Sequence, residues 1–168
     1  MCNLAVLNYK CGHKDSLLIY CPKNDPAQLC EAAKQTILAC YQFDGNCMDC
    51  HGRWCTKQDD MRLALLNSEI DSLVAKKNDI SPLDLELMMA NARSKAITRD
   101  RLAHGKEDDM EGDIRFSKEW AIEHAKIVWN ILYHETEGDQ DRLDELEGAR
   151  LHLITAHAIG YCSCNGSV

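Results

Sequence analysis

Two short apolar runs open the chain, residues 4–9 and 17–20, in which Val6, Tyr9, Ile19 and Tyr20 favour extended structure. Between them Cys11-Gly12-His13-Lys14-Asp15-Ser16 is rich in turn formers. The pattern predicts a β-hairpin with Cys11 and His13 at its tip, facing one side. From residue 25 the apolar spacing becomes helical. Asp25 can cap and Pro26 suits the first helical position. Leu29, Ala33, Ile37 and Cys40 then share one face, until Phe43-Asp44-Gly45-Asn46 stops the helix.

Four further helices follow from the same reasoning. Thr56-Lys57-Gln58-Asp59 reads as a capping box for a helix with Met61, Leu65, Leu66, Ile70, Leu73 and Val74 at helical spacing, broken at Asn78-Asp79. Ser81-Pro82-Leu83-Asp84 is a second capping box, opening a helix that carries Leu85, Met88, Met89, Ala92 and Ala96 and ends at Gly105. The acidic stretch 106–113 reads as an exposed loop. Ser117 caps a helix over 118–135 with Trp120, His124, Val128, Ile131 and Leu132 inward, and Gly138 ends it. The last helix, 140–159, carries Leu143, Leu146, Leu153 and Ile154, with Gly160 placed as its left-handed cap. Short links between long helices imply antiparallel neighbours. The expected fold is therefore mainly α, a helical bundle with a small N-terminal zinc-bound β-hairpin module. It is one domain of 168 residues, with a cysteine-rich module over 1–57, a four-helix bundle over 58–160 and a C-terminal Cys-x-Cys segment over 161–168.

Composition sharpens that picture. Aromatics make up only 6 % of residues, so the core must come from Leu, Ile, Ala and Met, which suits helix packing. Net charge is −8, and it is uneven. Up to Asp60 there are 6 basic against 7 acidic side chains, and beyond it 13 against 20. An acidic surface repels phosphate backbones, which disfavours nucleic acid as a partner. No apolar run approaches the ~20 residues that span a bilayer. Met1 is followed directly by Cys2-Asn3, without the basic start and apolar core of a signal peptide, which favours an intracellular location in cytoplasm or nucleus. A mature secreted chain would read the same.

Ten cysteines are the dominant chemistry. In a reducing compartment clustered thiols bind metal, whereas in an oxidising one an even number could pair as five disulfides. The metal reading is preferred because Cys47-Met48-Asp49-Cys50-His51-Gly52-Arg53-Trp54-Cys55 packs three thiols and an imidazole into nine residues with a knuckle-like Cys-x-x-Cys bite. Cys11-x-His13 and Cys162-x-Cys164 are tighter pairs, and Cys21, Cys30, Cys55 and His51 are spare donors. The candidate ligands are Cys11, His13, Cys21, Cys47, Cys50, Cys55, Cys162 and Cys164, holding one or two zinc ions. Cys40, Cys2 and Cys30 read as buried free thiols. Cys47-x-x-Cys50-His51 also spells a c-type haem attachment motif, but that would leave eight cysteines unexplained. The helical histidines form neither His-Glu-x-x-His nor Glu-x-x-His, so a di-metal bundle site lacks its motif.

Cys11-Gly12-His13, then Tyr20-Cys21-Pro22, then Cys47-x-x-Cys50 resembles the cysteine framework of small, lineage-specific fungal proteins of unknown function. That resemblance covers the first third of the chain and implies a zinc-stabilised fold with no particular activity. Cys-Gly-His is also similar to a fragment of RING-type fingers. The second Cys-x-x-Cys and the tighter spacing of that pattern are missing here, so ubiquitin-ligase activity does not carry over. The expected function is a protein-interaction or regulatory module with structural zinc, its contact surface near Arg53 and Trp54 and its partner a protein. A metal-dependent enzyme with an open zinc position is the alternative, and a nucleic-acid-binding finger the third.

Overall fold

A computed structural model describes residues 1–23, 30–159 and 165–167. Among them the fold is mainly α with a small sheet. Strands β1 (Cys2–Tyr9) and β2 (Lys14–Tyr20) form the expected antiparallel hairpin. Strand β3 (Gln35–Phe43), entered through a 3₁₀ turn at Ala32–Lys34, lies parallel to β1, and β4 (Asn165–Ser167) lies antiparallel to β3. The strand order is β2-β1-β3-β4. The helices are α1 (Met48–Ala75), α2 (Pro82–Glu137) and α3 (Gln140–Ile159). None among the described residues is long and apolar enough to cross a membrane.

The chain forms two compact units. The first comprises residues 1–47 and 113–168, the second residues 48–112. In the first, the sheet's inner face supplies Ala5, Leu7, Tyr9, Leu17, Ala39, Tyr41 and Phe43, and the helices cover it with Ile114, Trp120, Ala121 and Ala125. In β1 the burial runs Cys2, Leu4, then Ala5, Leu7, Tyr9. The buried set changes phase at Leu4/Ala5, where the ladder to β3 shifts register, one step after the ladder to β2 shifts between Asn3 and Leu4. Ala5, Leu7 and Tyr9 belong to the core of this unit, whereas Cys2 and Leu4 are buried outside it.

Several expectations are corrected here. The helix expected from residue 25 through Cys40 is instead strand over Gln35–Phe43, with Ala39, Tyr41 and Phe43 buried at period two. Thr36, Ile37, Tyr41 and Phe43 suit a pleated, half-buried surface, and two neighbouring strands outweigh a single helical stripe. The expected cap and first turn, Asp25, Pro26 and Leu29, lie outside the described residues. Cys40 is exposed rather than core, so Cys40→Ala should stay within about 0.5 kcal/mol of wild type in a denaturant melt.

Among the described residues the helical part holds three helices rather than four. Helix α1 begins at Met48, so the knuckle is itself helical, and Thr56 is an interior residue whose hydroxyl donates to the Gly52 carbonyl. Helix α2 does not stop at Gly105, and the expected loop over 106–113 is helical. A mid-helix glycine costs about 1 kcal/mol. That cost is offset because the inward stripe, Leu85, Met89, Ala92, Ala96, Ala103, Glu107 and Ile114, continues through it at helical spacing. Ser117 is fully buried within α2, its hydroxyl donating to Asp113 O. The capping box at Ser81 forms as read, with Asp84 N–H donating to Ser81 Oγ at 3.2 Å. Gly138, at φ +73, ends α2 in the left-handed conformation expected of it.

In the second unit α1 and the first part of α2 pair as an antiparallel hairpin. His51 Nε2 lies 3.1 Å from Glu107 O, and Arg62 reaches Glu107 at 3.0 Å and Asp100 at 3.6 Å. Leu66, Ile70 and Leu73 face inward as expected, whereas Met61, Leu65 and Val74 remain exposed.

Candidate metal centre

The β1–β2 turn builds the first half of the centre. Gly12 N–H donates to Tyr9 O at 2.9 Å and Tyr9 N–H donates to His13 O at 3.0 Å, with Gly12 at φ +84. This is a three-residue hairpin loop, a β-turn followed by a left-handed residue. It is this turn, and not strand alternation, that brings Cys11 and His13 together. An L side chain in that conformation costs about 1–2 kcal/mol. Gly12→Ala should lower stability by that amount in a thermal melt and weaken metal retention, although a Cβ there would meet no other atom.

The loop after β3 builds the second half. Gly45 O accepts from Lys10 N–H at 2.9 Å, and a Cβ on Gly45 would collide with the Phe43 ring. The loop so held delivers Cys47, whose N–H donates to Cys11 Sγ at 3.3 Å. Cys50 follows three residues later on the first turn of α1.

Cys11, His13, Cys47 and Cys50 place one ligand atom each within 4.8 Å of all the others. His13 Nδ1 lies 3.5 Å from Cys11 Sγ and 3.4 Å from Cys47 Sγ. A tetrahedral ion with bonds of about 2.3 Å to sulfur and about 2.0–2.1 Å to nitrogen would set sulfur and nitrogen about 3.6 Å apart. The two His13 edges therefore match a Cys₃His tetrahedron, Cys50 Sγ lies within 4.8 Å of the other donors, and the four side chains could hold a metal ion. Arg53 Nη2 donates to Cys50 Sγ at 3.0 Å, an outer contact that offsets thiolate charge.

Electrostatics already favour ligation at Cys11. Burial works to raise its thiol pKa, but hydrogen bonds from Cys47 and His13 outweigh it and bring the value down to about 6. In chelator-stripped protein, Cys11 should be the first thiol alkylated near neutral pH. Its rate should rise with pH through a midpoint near 6, where an ordinary cysteine would still be protonated, as read by peptide mass mapping. Nearby, Tyr9 OH and Lys118 Nζ both donate to Asp15 Oδ2, at 2.9 and 2.8 Å, tying α2 to the hairpin. Burial opposes ionisation of Asp15, yet these two bonds hold its pKa below the usual value.

The remaining candidates go elsewhere. Cys21 is grouped with Cys2 and Cys30 and not with Cys11. Cys55 Sγ lies 3.4 Å from His51 Nε2, which is itself engaged with Glu107 O, so neither belongs to the four-donor group. Burial, then Glu107 and Asp59, raise the Cys55 thiol pKa, unlike that of Cys11. Cys162 and Cys164, with Gly160, lie outside the described residues. The chain does return to the sheet just after them, where Asn165, Gly166 and Ser167 pair with Gln42, Tyr41 and Cys40, a pairing the polar tail did not suggest. Asp59, His104 and Glu107 also cluster. Arg62 sits among them, ion-paired with Asp59 and Glu107, so a cation is already supplied. No protein-family model, curated protein or solved structure matches the chain.

Proposed function

We propose that this protein is a zinc-stabilised protein-interaction or regulatory module in which the ion is structural. The observation that carries the reading is the four-donor set Cys11, His13, Cys47 and Cys50, all within 4.8 Å of one another, with His13 at tetrahedral edge length from Cys11 and Cys47. Four protein ligands close a zinc site, whereas catalytic zinc keeps three and leaves a position for water. Thiolate and imidazole donors without a carboxylate suit zinc. The reading takes up the resemblance to small fungal cysteine-rich proteins, which implies the same use of zinc. It also assigns the chain to a reducing compartment, cytoplasm or nucleus, where free thiols persist. Trp54 is 39 % exposed and stacks on His51, so it remains available as an aromatic contact, whereas Arg53 is turned onto Cys50. The net charge of −8 argues for a protein partner over nucleic acid.

Cobalt-substituted protein tests the structural role. A closed site should keep its visible spectrum unchanged when cyanide or azide is added. A shifted spectrum would show an exchangeable position and favour the metal-dependent enzyme instead.

A further inference from the structure

We propose that Cys2, Cys21 and Cys30 form a second, separate metal site that takes one zinc-class ion through three thiolates. The register of the hairpin creates it. Asn3 pairs with Tyr20, so Cys2 and Cys21 face each other one step further out, at the open end of the β1–β2 ladder. Cys2 Sγ lies 2.9 Å from Cys21 Sγ, and Cys30 Sγ lies 3.7 Å from Cys21 Sγ. Cys30 is held from two sides: its N–H donates to Cys2 Sγ at 3.4 Å and its carbonyl accepts from Gln35 Nε2. Cys2 and Cys21 are buried and Cys30 half-buried.

Three converging sulfurs are one too many for a disulfide, which would use two and strand the third. Two sulfurs on a tetrahedral zinc sit about 3.8 Å apart, close to the 3.7 Å Cys21–Cys30 separation, and the 2.9 Å Cys2–Cys21 pair would have to open to that length on binding. All three donors are soft, with no carboxylate or imidazole among the described residues in the group. Three thiolates leave a net charge of −1 around a divalent ion and −2 around a monovalent one. Burial therefore favours the divalent ion. The Cys30 N–H bond to Cys2 Sγ offsets the remaining charge. This site cannot share the first ion, because the eight residues of β1 separate the two ends of the hairpin by roughly 25 Å.

Native mass spectrometry of zinc-loaded protein should find two ions per chain. Cys30→Ser should leave one, with the circular dichroism of wild type. In wild type, alkylation of Cys30 by N-ethylmaleimide should slow at least tenfold when zinc is added to stripped protein. An unchanged ion count in Cys30→Ser together with zinc-independent alkylation would overturn the proposal in favour of packed free thiols. A Cys2–Cys21 disulfide in peptide maps of protein kept under reductant would overturn it in favour of an oxidised pair. Either result would leave the first centre intact, since that centre is lost with Cys47 and not with Cys30.

A different observation carries a second inference. On α2, Leu83, Leu87, Ala90, Ser94 and Ile97 recur at alternating steps of four and three on the solvent side, with the three large residues 76, 60 and 55 % exposed. A shallow groove borders the first part of this stripe, lined by Leu83, Leu87 and Ala90 together with Glu86 and Arg93. The flanking charges are segregated, with Asp84 and Glu86 before Ala90 and Arg93 and Lys95 after it. We infer that the stripe pairs with its own copy in an antiparallel two-fold centred on Ala90. There Leu83 meets Ile97, Glu86 meets Arg93 and Asp84 meets Lys95 of the partner, whereas a parallel pair would oppose like charges. The contact is smaller than the roughly 800 Å² per partner of a standard interface, so the dimer is weak. Sedimentation velocity should show a concentration-dependent dimer that Arg93→Glu abolishes and that Glu86→Arg combined with Arg93→Glu restores. A monomer at all concentrations, or a dimer indifferent to Arg93→Glu, would overturn this.

Discussion

Cys47→Ser should cost the protein its metal and most of its stability margin. Cys47 joins the two halves of the centre. Its sulfur stands 3.4 Å from His13 Nδ1 and its N–H is bonded to Cys11 Sγ. The strand that leads into its loop ends in Phe43, in the core of the first unit. Zinc in small fingers contributes on the order of 10 kcal/mol, against a whole margin of about 5–15 kcal/mol for an ordinary domain. We expect a loss of several kcal/mol and a melting temperature lower by more than about 10 °C. Cys55→Ser is the matched control, being close in sequence but outside the four-donor group, and should keep its metal. A Cys47→Ser variant that melts with wild type would show that the centre does not support the fold.

Trp120→Ala should be nearly as damaging, for a reason unrelated to metal. Trp120 is only 7 % exposed and lies in the core that joins sheet to helices. Its ring meets Tyr41 edge-on at 5.4 Å and stacks on His124 at 5.1 Å. Its Nε1 donates to Leu153 O at 3.3 Å, tying α2 to α3. Tyr41 in turn is fully buried, with its hydroxyl 2.7 Å from His124 Nδ1. Truncation removes the largest side chain of this cluster and leaves a cavity, worth about 3–5 kcal/mol. Urea denaturation should show that loss while the ion count stays unchanged. A loss under about 1 kcal/mol would mean that the helices do not depend on this contact.

The hairpin, the Ser81 capping box, the Gly138 stop and the last helix were legible because each rests on local chemistry. Strand β3 was not. Its Ala33-Ile37-Cys40 spacing fits a helix, and only the neighbouring strands decide that Ala39, Tyr41 and Phe43 turn inward instead. Gly105 misled for a related reason, since a glycine signals a stop only where no continuous stripe carries the helix through. At the metal centre, Cys11, His13, Cys47 and Cys50 could be read from close spacing. Cys21 could not be separated from them without the register. Yet the signal was present: folding residues 2–21 back on themselves about the Cys11-Gly12 turn sets Cys2 opposite Cys21, at the far end from Cys11. Cys30 carries no such signal, because its position depends on the crossing from β2 to β3.

Cadmium-substituted protein, observed by NMR for couplings between the metal and ligand protons, tests the four-donor centre most directly. The account predicts one resonance coupled to the β-protons of Cys11, Cys47 and Cys50 and to the ring of His13, and uncoupled from Cys21 and Cys55. A resonance that lacks His13, or that couples Cys21 with Cys47, would contradict it.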